Sequence, residues 1–173
     1  MTRLGSYVVL LSLAVAPLAL AGEAGWIADV KTGCKIWNLY PQPNESMQWS
    51  GDCREGLAEG RGTVQWLANG QPTGTCECEY HEGKRNGRGI EKYARGSGYD
   101  GDFLDDKRDG QGTMTFPSGS TYVGEWRHGV PDGYGVYTPL KRPVLKGRWV
   151  DGCLRTDEVE VRLFYTKGGC GQV

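Results

Sequence analysis

One spacing governs this chain. The segment Tyr122-Val-Gly-Glu-Trp126-Arg-His-Gly129-Val-Pro-Asp-Gly133-Tyr-Gly135 reads aromatic-x-Gly-x-aromatic-x-x-Gly-x-x-x-Gly-x-Gly, and much of the chain repeats it. Trp49, Gly51, Cys53, Gly56, Gly60 and Gly62 fit, with a cysteine in the second aromatic place. Cys76, Cys78, Tyr80, Gly83, Gly87 and Gly89 fit, with cysteines for the first aromatic and the first glycine. Tyr99, Gly101, Phe103, Gly110 and Gly112 fit, with Asp106 where a glycine is expected. Leu145, Gly147, Trp149 and Gly152 begin a copy that does not finish. The starts at 49, 76, 99, 122 and 145 are 27, 23, 23 and 23 residues apart, the longer first interval fitting a four-residue insertion around Ala68 to Thr73.

Such a unit folds in one way. Places one, three and five fall on one face of a strand because side chains alternate. The other face takes Asp100 and Asp102, Val123 and Glu125, or Lys146 and Arg148, so the strand is amphipathic with period two. A glycine between two large rings leaves a slot for a neighbouring ring. The second strand starts at the paired glycines, as at Gly110 and Gly112, and continues on the same face through Met114 and Phe116. A turn with its own glycine, Gly83 or Gly129, joins the two where φ must be positive. One hairpin is marginal alone, so neighbours must stack. The expectation is an all-β fold of tandem β-hairpin repeats in an elongated, twisted antiparallel sheet with a cap at each end.

The flanks fix the domain plan. Met1-Thr2-Arg3 followed by the apolar run Tyr7 to Leu20 and by Ala19-Leu20-Ala21 reads as a cleaved secretory signal peptide over residues 1–21. The chain is therefore expected in the periplasm or outside the cell. Residues 22–48 read as an N-terminal cap covering an open sheet edge, 49–153 as the repeats, and 154–173 as a C-terminal cap strand and tail. That last strand alternates Val159, Val161, Leu163 and Tyr165 with Glu160, Arg162 and Phe164.

All six cysteines lie beyond residue 21, and an even count in an exported chain suggests disulfides. Cys153 and Cys170 flank the final strand and suit a bridge tying it to the last repeat. Cys34 and Cys53 suit one tying the N-terminal cap to the first repeat. Cys76 and Cys78 point to one face about 7 Å apart at Cα, an awkward span for a bridge. Their alternatives are a local disulfide, two small buried side chains, or redox or metal work, and a pair of cysteines supplies only two metal ligands.

These residues resemble the MORN repeat (membrane occupation and recognition nexus), over Trp49 to Cys153. The layout is similar to bacterial exported MORN-repeat proteins, with a cysteine-bearing segment before the repeats and Asp151-Gly152-Cys153 near the end. The resemblance implies an interaction module for proteins or phospholipids, with no catalysis and no cofactor.

Chemistry-bearing motifs are weak. Gly96-Ser-Gly98-Tyr-Asp-Gly101 matches a dinucleotide fingerprint but sits at a hairpin turn, without the following helix that motif requires. Asp100-Gly-Asp102 opens like a calcium loop, yet Leu104 and Gln111 occupy ligand places. No nucleophile and base converge, and a net charge of −1 gives no footprint for nucleic acid. The expected function is a non-catalytic exported binding protein, one version being an immunity protein that neutralises a periplasmic toxin or lipase effector. An envelope-associated lipid-binding or scaffold protein is the alternative, and a metal or redox protein using Cys76 and Cys78 a third. Candidate interaction residues are Glu77, Glu79, Asp100, Asp102, Glu125, Arg127, His128, Lys146 and Arg148.

Overall fold

A computed structural model of the chain describes residues 24–156, 160–164 and 170. The expected signal peptide and Val159 and Tyr165 of the last strand lie outside these. The described residues hold strands and turns and no helix. The N-terminal segment contributes β1 (Gly25–Ala28), β2 (Lys35–Asn38) and β3 (Glu45–Trp49), which ends on the first residue of the first unit, and that unit adds β4 (Asp52–Arg54) and β5 (Leu57–Ala68). Three full hairpins follow: β6 (Gln71–His81) with β7 (Lys84–Tyr93), β8 (Gly98–Leu104) with β9 (Lys107–Thr115), and β10 (Thr121–Arg127) with β11 (Val130–Thr138). The unfinished copy gives β12 (Leu145–Val150) and β13 (Cys153–Arg155), and β14 (Glu160–Arg162) ends the sheet. The order is β1-β2-β5 and then sequential to β14, with β3 and β4 also paired to β5. Pairing is antiparallel except where β2 meets β5 in parallel at Lys35 and Leu57 and where an isolated parallel bridge joins Asp29 to Met47.

The template's alternation is the burial pattern. Tyr99, Gly101 and Phe103 are buried along β8, as are Tyr122, Gly124 and Trp126 along β10. A methyl group on Gly112 would land in the Tyr99 ring, and one on Gly135 in the Tyr122 ring. The ring of one unit thus lies on the backbone of its own second strand, an approach only glycine permits. Tyr99, Trp126, Tyr122 and Trp149 then meet edge to face, with centroids 5.2, 5.3 and 5.2 Å apart in turn. Their polar atoms are satisfied by backbone: Tyr122 Oη donates to Glu125 O at 3.0 Å and Trp149 Nε1 to Gly135 O at 3.2 Å.

The turns repeat as closely. Glu82 and Gly83, Asp105 and Asp106, His128 and Gly129, and Asp151 and Gly152 each place two successive residues at positive φ, the geometry of a tight two-residue hairpin. Each turn is tied to the unit before it. The N–H groups of Gly83, Asp106, Gly129 and Gly152 donate to the carbonyls of Ala58, Arg85, Arg108 and Pro131 at 2.8–3.0 Å. A side-chain link runs alongside, His128 N to Asp109 Oδ2 at 3.1 Å and Glu82 N to Glu59 Oε2 at 3.1 Å.

The segments flanking the repeats reach back over them. Trp37 N donates to Gly83 O at 2.8 Å, bringing the N-terminal cap against the second unit. Phe164 packs on Trp126 and Phe116, with centroids 5.5 and 5.8 Å away, so the C-terminal segment reaches back over the ring-bearing face. Disulfides join Cys34 to Cys53 and Cys153 to Cys170, with Cα atoms 5.9 and 5.7 Å apart. Cys76 and Cys78 are joined as well. Their Cα atoms stand 5.5 Å apart, closer than the ~7 Å expected of regular strand, so β6 is pinched at the bridge.

Candidate functional site: the outer face of the repeat sheet

The face away from the rings carries two cross-strand rows set by the register. One runs Glu77, Ile90, Asp100, Thr113, Val123, Val136 and Lys146. The other pairs Arg88 with Asp102, Gln111 with Glu125, and Tyr134 with Arg148. This face is therefore acidic over the second and third units and apolar to basic over the fourth and fifth.

Several of the predicted interaction residues work for the fold. Asp102 Oδ2 accepts Gln111 N at 2.9 Å, and Glu125 Oε1 accepts Tyr134 N at 3.0 Å. Each carboxylate lies against the first of the paired glycines, Gly110 or Gly133, whose φ of +105° or +112° leaves no place for a Cβ. Glu79 lies against Gly87 in the same manner. The acidic residue at place four is thus a brace for the bend in the second strand. Asp100 pairs with Arg88 at 2.8 Å, both exposed, and the exposed Arg127 with the half-buried Asp132 at 3.5 Å. Glu77, His128, Lys146 and Arg148 are exposed, and no ion pair to them is present among the described residues.

Beside Lys146 and Arg148 lies an apolar patch that following only the outward places of each first strand missed. Tyr134 is 70% exposed, Val123 50% and Val136 38%. With Gly135, Gly147 and Lys146 they line a shallow depression. Extending period two into the second strand, through Tyr134 and Val136, was the signal that would have found it.

A second departure sits on the ring-bearing face. Glu91 stands where the other units have Val64, Met114 and Tyr137, and it is almost fully buried. Arg85 Nη1 bonds one carboxylate oxygen, and Arg108 Nη2 the other at 3.0 Å. Arg85 Nε also reaches Asp106 Oδ1 at 2.7 Å, while Arg85 N donates to the same oxygen at 3.0 Å. Asp106 replaces the turn glycine because its carboxylate holds Arg85, and aspartate tolerates the left-handed φ of +66°. The guanidinium of Arg85 stacks on Phe103 and that of Arg108 on Tyr99. Burial alone would raise the Glu91 carboxyl, but Arg85 and then Arg108 outweigh it and hold it below the usual carboxylate range.

Cys76 and Cys78 are buried, with Cys78 Sγ over Gly89 beside Phe103, so the bridge stands where other units carry the first ring. No cluster of three or more metal-ligating side chains exists among the described residues. This fold and surface define an all-β tandem hairpin-repeat protein with an exposed, chemically graded sheet face. The comparison agrees with the repeats: the MORN repeat model matches residues 76–98, 99–121 and 122–138, so the chain carries three MORN repeats there. The units at Trp49 and Leu145 lie beyond the matched segment. No curated protein matches the chain. MORN repeats often mediate binding to proteins or phospholipids, which suggests a repeat-based binding protein.

Proposed function

We propose that the chain is a non-catalytic, exported binding protein whose outer face over β10, β11 and β12 docks another protein. The observation that carries this is the patch of Tyr134, Val123 and Val136 beside Lys146 and Arg148. An apolar centre with an aromatic anchor and a charged rim is the anatomy of a protein interface. The partner's surface is then apolar with an acidic border. A secreted toxin or lipase blocked in the periplasm is one such partner, which would make the chain an immunity protein.

Capture from a periplasmic extract on immobilised chain, repeated with Tyr134→Ala and Lys146→Glu together, tests the face. A partner retained by the native chain and lost by the variant is expected, with melting temperature unchanged. Equal capture by both would remove this surface. Fractionation, with the mass of the processed chain, tests export; an uncleaved cytoplasmic product would overturn it.

A second reading, lipid binding at the envelope, rests on a cleft of about 850 Å³ where Lys141, Arg142 and Lys146 border Leu140, Val144 and Leu145. Co-sedimentation with anionic vesicles but not zwitterionic ones would favour it. A metal at Cys76 and Cys78 would need both thiols free, and the structure joins them.

A further inference from the structure

Two departures from the repeat meet at one cavity. The insertion in the first interval lengthens the β5–β6 hairpin beyond Val64. Its tip reaches the cap, Asn69 N donating to Asn44 O at 3.1 Å and Asn44 Nδ2 to Asn69 Oδ1 at 3.1 Å. This brings Trp66 and Thr73 opposite the cap segment 37–45. The other departure is Glu91 with its Arg85 partner. Between them lies a cavity of about 300 Å³, walled by Trp37, Tyr40, Trp66, Tyr80 and Tyr93 and by the polar groups of Asn38, Gln42, Glu45, Arg85 and Glu91. That volume is at the small end for ligand sites.

We propose that this cavity binds a neutral saccharide, of roughly one or two pyranose rings at this volume. Aromatic faces offer the platforms on which the C–H faces of a sugar ring lie. The remaining wall holds acceptor-only carboxylates and donor-only guanidinium beside amides with both functions. Vicinal hydroxyls, each at once donor and acceptor, complement that mixture. Charge selects against an anion, which would sit beside Glu45 and Glu91 and find Arg85 already paired with Glu91 and Asp106. Choline tests the cationic alternative.

The rim is preorganised. Glu45 Oε2 accepts Asn38 Nδ2 at 2.7 Å and Gln42 N at 3.0 Å, and Gln42 Nε2 donates to Tyr40 O at 3.0 Å. The segment is thereby fixed with the Tyr40 ring 78% exposed, an aromatic surface that packing does not explain. Holding a loop in its bound shape lowers the cost of binding. The repeat fold requires neither the insertion nor a buried carboxylate at place sixteen, and both form this wall.

The test is calorimetric titration of the disulfide-intact chain with glucose, N-acetylglucosamine and lactose, with choline and adenosine as comparators. Tryptophan emission would be followed in parallel, since Trp37 and Trp66 line the site. Saturable binding of at least one saccharide is expected. It should weaken about tenfold or more in Tyr93→Ala and in Gln42→Ala, and stay unchanged in Tyr134→Ala on the opposite face. Should Tyr93→Ala fail to fold, Gln42→Ala decides, because that side chain is exposed. No saccharide binding at concentrations up to about 50 mM, tighter binding of choline or adenosine than of any sugar, or sugar binding that Gln42→Ala leaves intact would each overturn the proposal. The outer-face reading stands or falls separately, in the capture experiment, since Tyr134 and Lys146 lie outside this cavity.

Discussion

At the level of single residues, the positions that break the template carry the consequences. Glu91 is a buried charge in a row that is otherwise apolar, and it persists because Arg85 and Arg108 both bond it. Removing one member of such a group leaves the others uncompensated, at a cost of about 3–5 kcal/mol. Glu91→Gln should therefore destabilise the fold by about that much at neutral pH. The pH dependence has a definite sign. The folded carboxyl titrates below its unfolded value of about 4.3. Its stabilisation is therefore complete above that value and drains away as pH falls through the folded one. Urea denaturation at neutral pH and again in acid should show the gap between native chain and variant narrowing in acid. A gap that ignores pH would mean that the carboxylate's charge contributes nothing.

At the level of elements, the hairpins were legible because their signals are local. Alternation gave the buried set Tyr99, Gly101, Phe103 and Tyr122, Gly124, Trp126, and the glycine offsets gave the turns. The links between units were not legible. That Asp109 receives the His128 amide, or that Glu125 braces Gly133, depends on which strands become neighbours and on a bend within one of them. A carboxylate used in this way looks like any solvated one in sequence. The outer patch was hidden for a simpler reason: in the second strand period two was followed along the ring-bearing face, through Met114 and Phe116, and not along the outward places that hold Tyr134 and Val136. Bridges also differ by element. Those at Cys34–Cys53 and Cys153–Cys170 close loops of 19 and 17 residues, worth about 3 kcal/mol each in the chain-entropy model. The Cys76–Cys78 bridge closes so little chain that roughly half that is expected. Replacing Cys153 and Cys170 together by alanine should therefore lower stability more through chain entropy than replacing Cys76 and Cys78. Denaturant midpoints with unchanged slopes would measure it, and equal loss from both pairs would point to packing instead.

Over the whole molecule, each repeat contacts its neighbours and little else, so stability is close to a sum of units and junctions. The caps break this regularity, and both candidate binding regions involve departures: the cavity at the first long hairpin and the patch where the sheet turns basic. The turn-to-turn hydrogen bonds, from Gly83, Asp106, Gly129 and Gly152 to the preceding unit, add a consequence of a mechanical kind. A force applied between the two ends of the sheet acts across the strands, so it opens backbone bonds one after another instead of shearing them together. Each turn link is then the latch of its own unit. Stretched in an optical trap, the chain should give way in steps at modest force. Each step would release one 23-residue unit, or about 80 Å of chain at ~3.5 Å per residue. The disulfide-tied ends would yield less length than their residue count implies. A single abrupt opening would show that the stack behaves as one body.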